Sequence, residues 1–202
     1  FQFQSHYNRF GKYSENVEWL EPPIEWNVYT DYDQVYDEIS NADIILYSCY
    51  AWNYTICDDV AKLFKEKNSN IINVLGGPHI GTNEPEFLAT RTMYDYICKP
   101  TKPGEVFIED MINMWFEEGI VAENISWELR SDKQTVFNIA KQDYSIYEDH
   151  IDLLTKAHNY AMKENLEPFL TFETTRGCPY QCVFCEWGGG IGGKVYKKEL
   201  DI

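Results

Sequence analysis

Apolar positions in the first 120 residues fall into short runs separated by amphipathic stretches. Ile24–Tyr29 is a short extended run, and Asp33–Ser40 has helical spacing. Asp43–Tyr50 encloses Ile44-Ile45-Leu46-Tyr47, the continuous apolar core of a strand. Cys57–Lys67 sets Val60, Leu63 and Phe64 on one face and Lys62, Lys65, Glu66 and Lys67 largely opposite, which predicts an amphipathic helix. Ile71–Leu75 is a second buried strand running straight into Gly76-Gly77-Pro78-His79. Tyr94–Cys98 is a weaker strand, and Glu105–Phe116 a helix ended by Gly119. Continuous apolar strands alternating with helices require a parallel sheet covered on both faces. The expected fold class is α/β: a doubly wound, Rossmann-like parallel sheet over residues 1–120.

Phe1-Gln2-Phe3-Gln4 alternates and reads as a strand. Past Gly119 the pattern changes. Ile125–Arg130 and Gln134–Ile139 flank Ser131-Asp132-Lys133 as a hairpin would, and Ile151–Asn165 reads as a helix, so 121–165 is expected to be a connector. Pro168–Thr174 then reads as a strand delivering the chain into a cysteine cluster. The chain starts at Phe1 rather than Met and stops at Ile202 with no closing element, so a piece of a longer protein is expected, inactive by itself.

Parallel sheets of this kind bind ligands outside the carboxyl ends of their strands. The segments placed there are Ser5–Ser14, Ser48–Asn53, Gly76–Gly81 and Lys99–Glu105. Gly76-Gly77 would let backbone approach a ligand closely, and Pro78 stiffens the turn.

Composition narrows the classes. The 202 residues carry 17 Lys+Arg against 33 Asp+Glu, a net charge of −16, which argues against a nucleic-acid partner and against an anionic membrane surface. At 44% hydrophobic and 16% aromatic residues the chain is too apolar to be a disordered acidic tail. No apolar run reaches a spanning length and no signal peptide opens the chain, so a soluble, cytoplasmic protein is expected. The Asn53-Tyr54-Thr55 and Asn124-Ile125-Ser126 sequons are then chance matches, and no calcium loop pattern occurs.

Of six cysteines, Cys49, Cys57 and Cys98 are scattered and read as buried small hydrophobes. Cys178, Cys182 and Cys185 fall within eight residues, and three thiols so placed in a cytosolic chain point to metal. Structural zinc takes four ligands, so a zinc site would have to recruit Cys98 or His158. A 4Fe–4S cluster held by three thiolates of one loop leaves one iron open to a small molecule.

The run Cys178-x3-Cys182-Val183-Phe184-Cys185 resembles the signature of the radical S-adenosylmethionine superfamily, and Arg176-Gly177-Cys178-Pro179-Tyr180 resembles its cobalamin-binding branch. The α/β region with Gly76-Gly77-Pro78-His79 and Gly104-Glu105 is similar to the branch's cobalamin domain, and the 125–139 hairpin to its connector. The resemblance implies a 4Fe–4S cluster on Cys178, Cys182 and Cys185, and S-adenosylmethionine chelating the fourth iron near Phe184. It implies a cobalamin pocket from Ser48, Cys49, Gly76, Gly77, Pro78, His79, Gly104 and Glu105. Residues 166–202 would be the opening of a truncated radical (β/α) partial barrel. The chemistry implied is one-electron cleavage of the sulfonium, giving methionine and a 5′-deoxyadenosyl radical, with methylation of an unactivated carbon or phosphorus as the outcome. A flavodoxin or ferredoxin would donate the electron, and a small molecule or peptide would be the substrate. The alternatives are a cyclase or rearrangement enzyme without cobalamin, and an iron–sulfur electron-transfer or cofactor-binding module.

The sequence departs from the pattern in two places. The family's later glycine-rich strand end is not visible, and the DxHxxG motif that supplies an axial histidine elsewhere is absent, which suits base-off binding. His79 is expected on the pocket wall, with His6 lining the same pocket and His150 and His158 on the surface. Gly188–Gly193 with Lys194 approaches a phosphate-loop pattern, but Val195 stands where the magnesium-binding hydroxyl belongs, and the run follows a cysteine loop rather than a strand. Trp115 reads as core and Trp127 as packed within the hairpin.

Overall fold

A computed structural model of the chain describes residues 2–21, 30–77, 79–80, 89–98, 104–119, 125–126, 146–169, 175–177, 180 and 195–197. The chain divides into two compact units, Glu25–Gln134 and Phe1–Ile24 with Thr135–Ile202.

The first unit is an α/β domain of the Rossmann-like kind. Numbered after α1 (Gln2–Phe10) of the other unit, its elements are α2 (Tyr32–Glu38), β1 (Ile44–Ser48), α3 (Tyr54–Lys67), β2 (Ile72–Gly76), β3 (Tyr96–Ile97), α4 (Gly104–Glu118) and β4 (Ile125–Ser126). The strands lie in the order β1-β2-β3-β4, every pair parallel, with Ile44 opposite Ile72 and Ser48 opposite Gly76. β2 is buried at each position from Ile72 to Leu75, which only a sheet covered on both faces allows. α3 presents Cys57, Val60, Ala61 and Phe64 to a core that includes Tyr47, Leu75 and Ile97. α2 begins at Asp31, whose carboxylate accepts from the Asp33 and Gln34 N–H groups at 3.1 and 3.3 Å, a side-chain N-cap. It packs Tyr36 edge-on against Phe64 at 5.1 Å. α4 stops at Gly119, whose φ of +63° is the left-handed closure that glycine supplies cheaply. Trp115, expected in the core, is only half-buried, beside Phe116.

β4 gives the start of the expected 125–139 hairpin a place in the α/β sheet. Ile125–Ser126 pairs in parallel with Tyr96–Ile97 and so extends the α/β sheet. β3, α4 and β4 make a crossover unit, and the partner that decides the strand's role lies about thirty residues back in the sequence. Gln134–Ile139, Trp127 and the extended run at 24–29 lie outside the described residues.

In the second unit, α1 (Gln2–Phe10) is a helix where alternation predicted a strand. Four residues of alternation are too few to distinguish the two periods; Phe3 and Tyr7 lie one turn apart, Tyr7 fully buried and Phe3 partly so. Gly11 closes the helix directly under the Tyr7 ring, where a Cβ would come within 2.6 Å of the ring carbons. α5 (Ile146–Asp149) and α6 (Ile151–Lys163) follow, and Asn165 at φ +59° ends α6 as its Leu166 neighbour donates to the Ala161 carbonyl. β5 (Thr175–Gly177) and β6 (Val195–Lys197) pair antiparallel, Gly177 opposite Val195. Of the expected strand at 168–174, Pro168 and Phe169 are exposed coil and 170–174 lie outside the described residues; β5 ends on the residue before Cys178. A strand also follows Lys194, where a phosphate loop would require a helix.

Candidate functional site

The α/β unit sets three strand ends side by side at its carboxyl edge. Ser48 is opposite Gly76, and the Gly76 Cα faces Cys98 closely enough that a Cβ would meet the Cys98 Cβ at 3.6 Å. Backbone bonds hold the edge: Cys49 N–H donates to the Gly76 carbonyl at 2.7 Å, Cys98 N–H to the Leu75 carbonyl at 2.8 Å, and His79 N–H to the Cys49 carbonyl at 3.3 Å.

Gly77 has a role other than the one expected. Its φ is +110°, and a Cβ there would lie 2.7 Å from the Cys49 nitrogen and still nearer its carbonyl oxygen. The absent side chain makes room for the end of β1, not for a ligand. Gly76 has only ordinary van der Waals neighbours and forms the bare floor between Ser48 and Cys98.

Cys49 contributes backbone, not a thiol, to this edge. Its side chain is 2% exposed and belongs to the hydrophobic core. There it is hydrogen-bonded with the Cys57 thiol, which lowers the Cys49 pKa and, with burial, raises that of Cys57. Cys49, Cys57 and Cys98 are free and buried, as their positions in apolar elements predict.

Aromatic side chains follow the ends of β1 and β2. Tyr50 and Trp52 stack face to face at 4.7 Å and 13°, with Trp52 78% exposed. The exposed His79 ring lies 5.1 Å from the half-exposed Tyr54 ring. Ser48, at the end of β1 and opposite Gly76, is exposed. Gly104 opens α4, and Glu105 in its first turn is buried. Tyr50, Trp52 and Tyr54 were not singled out from the sequence; the available signal was an aromatic pair around Ala51 immediately after an apolar strand.

Beneath the edge lies a polar network that the sequence reading missed. Asn73, fully buried in β2, accepts from the Tyr47 hydroxyl at 3.2 Å and donates to the Ala61 and Met93 carbonyls at 3.0 and 2.9 Å. Its N–H donates to Asp95 Oδ2 at 2.7 Å, and Asp95 pairs with Lys65 at 2.8 Å. Tyr94 donates to Asp58 at 3.0 Å, which also holds Arg91. Each buried polar atom of Asn73 is thereby satisfied, so this is support rather than a binding site. Its signal was a lone Asn inside Ile72-Asn73-Val74-Leu75.

Pro78, Cys178, Cys182, Phe184 and Cys185 lie outside the described residues. His6 is buried on α1 against Phe10, in the unit that does not contain this edge. His150 is half-buried, 3.1 Å from Gln4 Oε1, and His158 is exposed on α6. Among the described residues no helix is long and apolar enough to cross a membrane.

Residues 17–105 match the B12 binding domain family, the stretch that contains β1, β2, β3 and the carboxyl edge. The chain is 28% identical over 170 residues to the cobalamin-dependent radical SAM methyltransferase TokK of Streptomyces tokunonensis, covering 81% of this chain and 24% of that protein. It is 26% identical over 156 residues to the 2-(S-pantetheinyl)-carbapenam-3-carboxylate methyltransferase of Streptantibioticus cattleyicolor, covering 74% of this chain and 23% of that one. The chain thus spans about a quarter of the length of the curated relatives it matches.

Proposed function

We propose that this chain supplies the cofactor-binding part of a cobalamin-dependent radical S-adenosylmethionine methyltransferase. The observation that carries the reading is the carboxyl edge of the parallel sheet, within the stretch that matches the B12 binding domain family. A corrin is a broad, flat ring with amide arms, and it requires a floor free of side chains and walls that are flat. Gly76 leaves the floor bare, the Tyr50–Trp52 stack and the Tyr54–His79 contact offer flat faces, and Ser48 offers a hydroxyl to an amide arm. These residues fit the group. Gly77 holds the turn after β2 against the end of β1, and Gly104 and Glu105 would contribute to the pocket from the start of α4. His79 is tied to β1 through its N–H and to Tyr54 through its ring, which makes it a wall residue and suits base-off binding.

Cys178, Cys182 and Cys185 would hold a 4Fe–4S cluster as three thiolates, with Phe184 beside the adenine of S-adenosylmethionine. Supporting this, β5 ends immediately before Cys178 and pairs with β6, so an antiparallel ladder closes the base of the cysteine-bearing segment. When bound, these cofactors supply one-electron cleavage of S-adenosylmethionine and delivery of a methyl group to an unactivated carbon or phosphorus. The protein's own work is to position the groups and exclude water around them. An electron donor of the flavodoxin or ferredoxin type and a small-molecule or peptide acceptor complete the reading.

Titration of the chain with hydroxocobalamin, followed by visible absorbance, tests the cobalamin assignment, and anaerobic reconstitution with iron and sulfide tests the cluster. Saturable cobalamin binding is expected, together with a cluster spectrum that S-adenosylmethionine perturbs and that Cys182→Ala abolishes. Failure to bind cobalamin would leave a radical enzyme of another kind. A cluster indifferent to S-adenosylmethionine would leave an electron-transfer module.

A further inference from the structure

Asn53 stands at the N-cap position of α3, with φ −124° and ψ 3°, yet its side chain makes no capping bond to the helix. Asparagine at this position ordinarily turns forward to the free N–H groups of the first turn. Here it turns back. Its Oδ1 accepts from the Tyr50 N–H at 2.7 Å, and its Nδ2 donates to the Ser48 carbonyl at 2.9 Å. One amide thus grips the chain on both sides of Cys49, whose own N–H and carbonyl bond to Gly76 and His79. The Asn53 N–H closes the turn on the Tyr50 carbonyl at 3.2 Å.

The connection so held carries the stacked Tyr50–Trp52 pair. A tryptophan 78% exposed has little packing of its own to fix it, so its orientation depends on the backbone beneath and on Tyr50. We infer that Asn53 is a positioning residue, its side-chain amide presetting the β1–α3 connection so that the Tyr50–Trp52 stack stands ready at the ligand end of the sheet. The ligand in question is cobalamin, which rests on the function proposed above. Preorganisation lowers the ordering cost of binding, so the effect belongs in affinity rather than in global stability. The same geometry accounts for the Asn53-Tyr54-Thr55 sequon: the nitrogen that a glycan would need is donated to Ser48.

Asn53→Ser separates positioning from mere support. Serine caps helices well but is too short to grip Tyr50 and Ser48 together, so α3 is kept while the clamp is lost. The variant should hold its Tm within error of wild type, while hydroxocobalamin binds about tenfold more weakly. The Tyr50 amide should exchange faster with solvent, and the near-UV dichroism that Trp52→Ala removes from wild type should be reduced. Asn53→Asp, which keeps the acceptor for Tyr50 and loses the donor to Ser48, should fall between the two. Unchanged cobalamin affinity in a folded Asn53→Ser variant, or an unchanged Tyr50 exchange rate, overturns the inference. If wild type binds no cobalamin the cofactor reading fails instead, and the exchange and dichroism measurements still decide whether Asn53 holds the loop.

Discussion

Gly77 is packed so tightly on Cys49 that a methyl group at Gly77 would lie 2.7 Å from the Cys49 backbone nitrogen. With φ at +110°, the position is closed to L side chains twice over, by contact and by conformation. Gly77→Ala should therefore destabilise the α/β unit by about 1–3 kcal/mol, whereas Gly76→Ala, with its nearest neighbour at 3.6 Å, should change stability by less than about 1 kcal/mol. Denaturant unfolding of both variants checks the pair; equal midpoints would mean that the β2 turn moves off β1 at little cost.

Removing the Asn73 amide strands three partners at once. Asn73→Leu leaves the buried Tyr47 hydroxyl and Ala61 carbonyl, and the part-buried Met93 carbonyl, without it, at a cost of about 2–5 kcal/mol. Tyr47→Phe in that background should cost less than it does in wild type, because the hydroxyl has already lost its acceptor. A double-mutant cycle in urea measures the difference, and strict additivity would show that the 3.2 Å contact carries no energy.

The Lys65–Asp95 and Lys62–Glu66 pairs should respond differently to loss of their lysine. Lys65 and Asp95 are 18% and 8% exposed, so Lys65→Met leaves a carboxylate largely shut away from water and should cost about 3 kcal/mol. Lys62 and Glu66 are 69% and 63% exposed at 4.0 Å, and Lys62→Met should cost less than about 0.5 kcal/mol. Thermal melts at low and high salt test this, with the salt dependence confined to the second pair.

Alkali should unfold the α/β unit through three buried phenols. Burial, and then the neighbouring Cys57 and Asp95, push Tyr47 above the ordinary tyrosine value. Burial and Asp58 do the same to Tyr94, and burial with Asp95 pushes Tyr96 up to about 12. A raised pKa means that the folded state holds the proton more tightly than the unfolded state. The stabilisation is complete below about pH 10 and is lost as pH rises beyond it, at roughly 1.4 kcal/mol per phenol per pH unit. Tyrosinate absorbance should show a late cooperative phase coincident with loss of helix, and Tyr94→Phe should diminish it. Smooth titration of all the tyrosines with helix intact would contradict the burial.

The motif on which the proposed cluster rests was legible without coordinates. Cys178, Cys182 and Cys185 are spaced for one loop, and that inference needs only local sequence. The α/β class was equally legible, because the strands of a covered parallel sheet leave apolar runs such as Ile44-Ile45-Leu46-Tyr47, and the helices between them leave a 3.6-residue stripe. The carboxyl edge could be placed from the same pattern, since connections leave parallel strands at that end.

Tertiary structure decided what pattern cannot carry. Ile125–Ser126 became a parallel strand because its partner is Tyr96–Ile97, and pairing between distant segments leaves no local trace in sequence. Phe1–Gln4 read as a strand over four residues, but a longer amphipathic face, burying His6 and Tyr7, settled α1 as a helix. Gly77 looked like room for a ligand and proved to be room for Cys49, because only three-dimensional proximity shows which neighbour a missing side chain admits. Asn53 reads in sequence as a helix cap or a sequon, and the direction of its amide, back toward Ser48 and Tyr50, is a rotamer choice that the folded loop makes. Residue types and their spacing determined the class of fold and pointed to the proposed chemistry; contacts between residues far apart in the chain determined how the strand ends are held together.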